Sequence, residues 1–217
     1  MIIIEVLASK LADRIAVQQG LDKEKQSVVR YGLIGLLQVV ALLIIIIFIG
    51  AITNSLYECL IIFLGVGFMR KSTGGAHSKT MSGCNTLSIL SISLLALSSR
   101  YLLAQPIKSN MNYGITLVVF ALGYLIFYLR VPVDNPNKPI VKQEKIRRLR
   151  KQSFLKLTLF LLLTVGAIYF AENNNRFYSI SSSIRIAIIW QTMTMTETGI
   201  ELLASLDSII IRILGKF

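Results

Sequence analysis

One histidine and one cysteine, His77 and Cys84, stand seven residues apart in the polar stretch RKSTGGAHSKTMSGCN, residues 70–85, which lies between two apolar runs. A thiol with an ordinary pKa of about 8.5 is mostly protonated at neutral pH. A nearby imidazole can take its proton and hold the thiolate as an ion pair. Arg70, Lys71 and Lys79 add positive potential that favours the thiolate further. Zinc ordinarily takes about three or four protein ligands; no second histidine exists and the other cysteine, Cys59, lies in an apolar run. The sequence therefore points to no metal and no cofactor. A Cys59–Cys84 disulfide is not expected either, and Cys59 reads as a small packing residue.

The spacing itself sets a condition. On an unbroken helix, residues seven apart share a face but stand about 10 Å apart along the axis, beyond hydrogen-bond reach. The helix must break between or before them. Gly74, Gly75 and Gly83 supply that freedom, and Gly83 clears space directly beside the sulfur. Free backbone N–H groups in such a turn are candidates for an oxyanion hole. The residues alone leave a coincidental pairing of structural His and Cys standing beside the nucleophile reading.

The elements that must position this pair are apolar. The chain is 54% hydrophobic yet carries 23 Lys and Arg against 11 Asp and Glu, a combination unusual for a soluble domain of 217 residues. Residues 33–52 contain no charge and one amide, Gln38; at about 1.5 Å per residue they cover the roughly 30 Å hydrocarbon core of a bilayer. Further spans are expected at 53–69, 87–104, 113–129, 154–171 and 180–195. The fold class expected is an all-α polytopic membrane protein of about six transmembrane helices in a single domain, 1–217. A turn is required at Thr53 and Asn54, since 33–69 as one helix would be about 55 Å long. No secretory signal is expected, because Glu5, Lys10, Asp13 and Arg14 interrupt any early apolar core.

With six spans drawn, Lys and Arg concentrate in segments 1–32, 70–86, 130–153 and 196–217, whereas the opposite side has only Lys108 and Arg176. That asymmetry places both termini and the His77 segment in the cytoplasm. Amphipathic helices are expected at both ends: Ile3, Ile4, Leu7, Leu11 and Ile15 make the stripe of the N-terminal segment 1–30, and Leu203, Leu206, Ile210 and Ile213 that of the tail 196–217. The loop 130–153 opens with Pro132, Pro136 and Pro139, which forbid regular helix. A basic run follows, with Lys142, Lys145, Arg147, Arg148, Arg150 and Lys151. Attraction to an anionic leaflet and binding of an acidic peptide both account for it, and nucleic acid is not an expected partner.

The motif Arg70, Gly74-Gly75-Ala76-His77 and a Cys seven after the His resembles that of the accessory gene regulator protein B family, membrane peptidases of peptide quorum sensing in Gram-positive bacteria. The proline element ending Asn137-Lys138-Pro139 is a second, supporting likeness. The resemblance implies a bacterial plasma-membrane cysteine endopeptidase, with Cys84 as nucleophile and His77 as base. Such an enzyme cuts a small precursor peptide near its C-terminal end and commonly closes the product to a thiolactone or lactone. The implied partners are the bilayer and an amphipathic precursor with an acidic C-terminal segment, which the basic run would hold; a homodimer is left open. No third residue orienting His77 is evident in the motif; Gln38 and Asn85 are candidates. The alternative reading is a noncatalytic peptide exporter or receptor.

Overall fold

In the computed structural model, residues 2–76, 78, 80–103, 109–134, 141–171 and 174–214 are described. His77, Lys79 and the Asn137-Lys138-Pro139 motif lie outside them. Every regular element among the described residues is helical: α1 (Ile2–Gln19), α2 (Lys23–Ile52), α3 (Leu56–Thr73), α4 (Met81–Leu97), α5 (Ser109–Arg130), α6 (Gln143–Ala171), α7 (Arg176–Met193) and α8 (Glu197–Leu214). The end of α4 widens into a π-helical segment, Ser98–Leu103. The chain forms two compact units, Met1–Ile45 and Ile46–Phe217.

Among the described residues, four helical stretches are long and apolar enough to cross a membrane: Lys23–Ile52, Ser82–Leu103, Asn110–Arg130 and Gln143–Ala171. Their outward residues are greasy; Leu117, Val118 and Leu162 are exposed apolar side chains, which a soluble protein would not display in such density. The chain is a membrane protein. Helices also stand where the other two spans were expected, α3 and α7; each is 18 residues long but falls short of that test by composition.

The reason is their place. Within the second unit, α7 packs on α3, α4, α5, α6 and α8, and its most extensive contact is with α3. Helices surrounded by protein need not be lipophilic. Accordingly α7 buries Ser181, Ser182, Ser183, Arg185 and Gln191. In lipid the hydrophobic effect does not drive helices together, so packing and interhelical hydrogen bonds of about 0.5–2 kcal/mol each must do it. Ser99 Oγ meets Ser183 Oγ at 2.8 Å, and Arg185 donates to Asn112 Oδ1 at 3.1 Å. Around these bonds, α7 contributes Ile186 and Ala187 to one core cluster and Ile184 and Ile188 to another.

The required turn after α2 is present: Asn54 adopts φ 53°, and a Cβ on Gly50 would stand 2.8 Å from the Leu56 backbone. Cys59 is fully buried in the core cluster, as its expected packing role requires. Helices stand at both ends as expected, and in each the buried line lies beside the large apolar stripe. In α1 the buried line is Ala8, Ala12 and Ala16, while Leu7 is exposed. In α8 it runs through Gly199, Leu203 and Asp207, and Leu206 is exposed. The Ile213 side chain lies outside the described residues.

Candidate active site

At the C-terminal end of α3 the chain turns on two glycines, Gly74 at φ 73° and Gly75 at φ 136°, where a side chain would be strained. Space demands them too. A Cβ at Gly74 would collide with the Val133 carbonyl, because the Val133 N–H donates to Thr73 O at 2.8 Å and draws the start of the proline element onto the end of α3. A Cβ at Gly75 would stand 3.0 Å from Thr194 Oγ1. The next residue is fixed at both backbone groups: the Ala76 N–H donates to Thr194 O at 2.9 Å, and the Ala76 carbonyl accepts from the Arg70 guanidinium. From α7, the buried Gln191 Nε2 donates to Thr73 Oγ1 at 2.8 Å and to Gly74 O at 2.9 Å. The end of α7 thus grips the glycine turn.

The chain re-enters helix at α4, capped by Thr80, whose Oγ1 accepts from the Gly83 N–H at 3.0 Å. Cys84 lies in the first turn, its N–H bonded to Thr80 O at 3.0 Å. The positive end of the helix dipole therefore faces any negative charge that develops on the sulfur. Arg70 interacts electrostatically with Cys84, and both line a small cavity of about 60 Å³ with Ala76, Ser78, Trp190 and Thr194. Against Gly83, the Asp207 carboxylate accepts a hydrogen bond from Ser78 Oγ. A thiol with an adjacent guanidinium in a small pocket is an arrangement suited to nucleophilic attack on a carbonyl carbon.

The sequence model of the family described as accessory gene regulator B matches residues 8–195. The chain belongs to that family. AgrB-like protein 2 of Clostridium perfringens strain 13 is 30% identical over 213 residues, covering 94% of this chain and 97% of the relative. An AgrB-like protein of C. perfringens strain SM101 is 30% identical with the same coverage, and one from Halalkalibacterium halodurans is 22% identical over 96% of this chain and 95% of its own length. No solved structure matches. The matched family region holds the glycine turn, Cys84, Gln191 and Thr194; α8, with Asp207, lies beyond it.

Of the site residues expected from sequence, Arg70, Gly74, Gly75, Gly83 and Cys84 come together in this family member, and the helix breaks before Cys84 as the spacing required. Asn85 is half-buried on α4 and is not among the residues lining the cavity. Gln38 lies on α2 in the N-terminal unit. The basic run is helical, as its composition allows: Gln143 begins the 29-residue helix α6, which continues into an apolar span. Lys142, Lys145, Arg147, Arg148 and Lys151 are exposed, but Arg150 is engaged, stacked 5.1 Å over the Tyr128 ring and donating to Tyr128 O at 2.6 Å. Gln191, Thr194 and Asp207 escaped sequence reasoning. For Asp207 a signal existed, a carboxylate four residues after Leu203 on the line that the helix buries.

Proposed function

We propose that the chain is a cysteine endopeptidase of the bacterial plasma membrane that processes a small precursor peptide of a quorum-sensing signal. The observation that carries this reading is the placement of Cys84 at a helix N-terminus, beside Arg70, in a cavity bounded by the braced glycine turn. His77 enters through the sequence motif. In the reaction, His77 takes the Cys84 thiol proton and the thiolate adds to a backbone carbonyl carbon of the precursor. The tetrahedral intermediate collapses, its C–N bond breaks, and the amine of the C-terminal fragment leaves with the proton from His77. The acyl group stays on Cys84 as a thioester. Attack by a thiol or hydroxyl of the precursor's own chain then frees Cys84 and closes a ring.

The Met81 and Ser82 N–H groups, in the first turn of α4, have no acceptor within the helix and suit the oxyanion. A cavity of about 60 Å³ holds about two waters, so the elements around it part to admit peptide. A site with so little room for water favours ring closure over hydrolysis. On this reading α3 and α7 also cross the bilayer, giving six spans, and the basic half of α6 and the Cys84 end of the bundle face the cytoplasm, where exposed Lys and Arg meet the acidic part of the precursor.

Purified protein in liposomes, mixed with the precursor, tests this by mass spectrometry. Cys84→Ala and His77→Ala each abolish the cleaved product, and the wild-type product is one water lighter than the linear peptide. Cleavage by Cys84→Ala at the wild-type rate would overturn the reading, and function retained by Cys84→Ser would favour an exporter or receptor.

A further inference from the structure

At the end of α3 remote from Arg70 a cavity of about 790 Å³ opens, within the range of about 300–1,000 Å³ usual for small-molecule sites. Three segments build it. The turn after α2 supplies Asn54, the π-helical segment supplies Arg100 and Tyr101, and the chain entering α7 supplies Asn174 and Arg176. Tyr101 Oη donates to Thr53 O at 2.8 Å, tying the second segment to the first. π-Helical turns are uncommon and recur at functional sites, and this one carries Arg100 to the cavity.

Glu58 forms part of the wall and is 1% exposed. Both of its hydrogen bonds, from Ser179 and from Arg100 at 3.4 Å, fall on Oε1. Its Oε2 has no partner among the described residues. A buried carboxylate oxygen without a donor is costly, so this wall lacks an N–H or O–H that a ligand can bring. The converse need is present as well. Among the described lining residues two guanidiniums, Arg100 and Arg176, stand against the one carboxylate. Each guanidinium has five N–H donors in a fork that matches phosphate, more than a single ion pair uses.

The rest of the lining is apolar, with Leu56, Ile61 and Ile180, and Tyr57 and Tyr101 are exposed at its edge. In a membrane protein, exposed tyrosines mark the level of the lipid headgroups. Cations, a buried carboxylate and apolar surface at that level suit a lipid better than a water-soluble ion. We propose that this cavity binds an aminophospholipid, with the phosphate on Arg100 and Arg176, the primary ammonium on Glu58 and the acyl chains along the apolar side. A small turn of the Glu58 carboxyl group into the cavity brings Oε2 to the ammonium. The site is separate from Cys84 and stands whether or not the peptidase reading does.

The full chain, purified in detergent, is offered equal amounts of phosphatidylethanolamine and phosphatidylcholine, and the retained lipid is counted by native mass spectrometry. Both lipids carry a phosphate and a positive nitrogen, but the trimethylated nitrogen of phosphatidylcholine has no N–H to donate. The wild type retains about tenfold more phosphatidylethanolamine. Glu58→Gln, read on the folded fraction, brings that ratio to about one. Arg176→Gln, at an exposed side chain, lowers retention of both lipids about fivefold and keeps the ratio. Equal retention by the wild type, or a ratio unchanged in Glu58→Gln, would overturn the proposal. Displacement of the lipid by an about hundredfold excess of free phosphoethanolamine overturns it in favour of a soluble ligand, and displacement by the precursor overturns it in favour of a peptide.

Discussion

Helix α3 has a polar cluster at each end, one around Glu58 and one around Arg70, twelve residues and about 18 Å apart along its axis. At the first, Glu58 is 1% exposed; its Oε1 accepts from Ser179 and from Arg100 at 3.4 Å, and Oε2 has no hydrogen-bond partner among the described residues. A cavity of about 790 Å³ opens there, lined by Asn54, Arg100, Asn174 and Arg176. The second has a cavity of only about 60 Å³, yet it brings together the half-buried sulfur, a guanidinium and two glycines at positive φ. Roominess and ion pairing favour the first as a site. The proposed function rests on the second, where a thiol stands at a helix start beside a backbone bent on glycines.

The contrast breaks most directly at the two cysteines. Cys84→Ala lowers cleavage by about a thousand-fold or more, whereas Cys59→Ala, next to Glu58, leaves it within about threefold because that thiol is core packing; product mass spectrometry reads both. Next come two glycines of the same region. Gly75→Ala meets a φ of 136° and Thr194 Oγ1, and lowers kcat about 10- to 100-fold. Gly67→Ala meets nothing within 4 Å inside α3, so it keeps kcat and raises thermal stability by about 0.5–1 kcal/mol. Equal effects of the two would remove the turn from the mechanism.

Smaller effects sharpen the picture. Glu58→Gln weakens the hydrogen bonding with Arg100 and Ser179 and costs about 1–3 kcal/mol of stability by thermal unfolding in detergent. Its kcat per folded molecule stays at the wild-type value; a large loss would make the Glu58 end part of the machinery. On α6, Arg147→Glu with Arg148→Glu raises KM for a precursor with an acidic tail about fivefold. Arg150→Ala instead loses about 0.5–1 kcal/mol of stability with its Tyr128 stacking.

What the sequence disclosed followed from how far each signal reaches. Long uncharged runs such as 33–52 announce helices by themselves, and Gly74-Gly75 announced a break because glycine's use at positive φ is local. The serines at the start of α7 made its boundaries hard to read from hydropathy, and they are the residues that bury against the π-helical segment through Ser99. Gln191 on Thr73 and Asp207 on Ser78 join residues more than a hundred positions apart. No periodicity within a window reports such pairs. In α8 the apolar stripe marks the helix, but it does not report that the polar Asp207 is buried beside Leu203 while Leu206 is exposed.

The bond from the Val133 N–H to the Thr73 carbonyl ties the end of α3 to the chain entering α6. That stitch makes the α5–α6 connection and the glycine turn a single mechanical piece: tension on one is delivered to the other without passing through the helix cores. Lengthening the chain by one residue between Arg130 and Val133 would slacken the stitch and loosen Gly74, although every atom inserted lies outside the pocket.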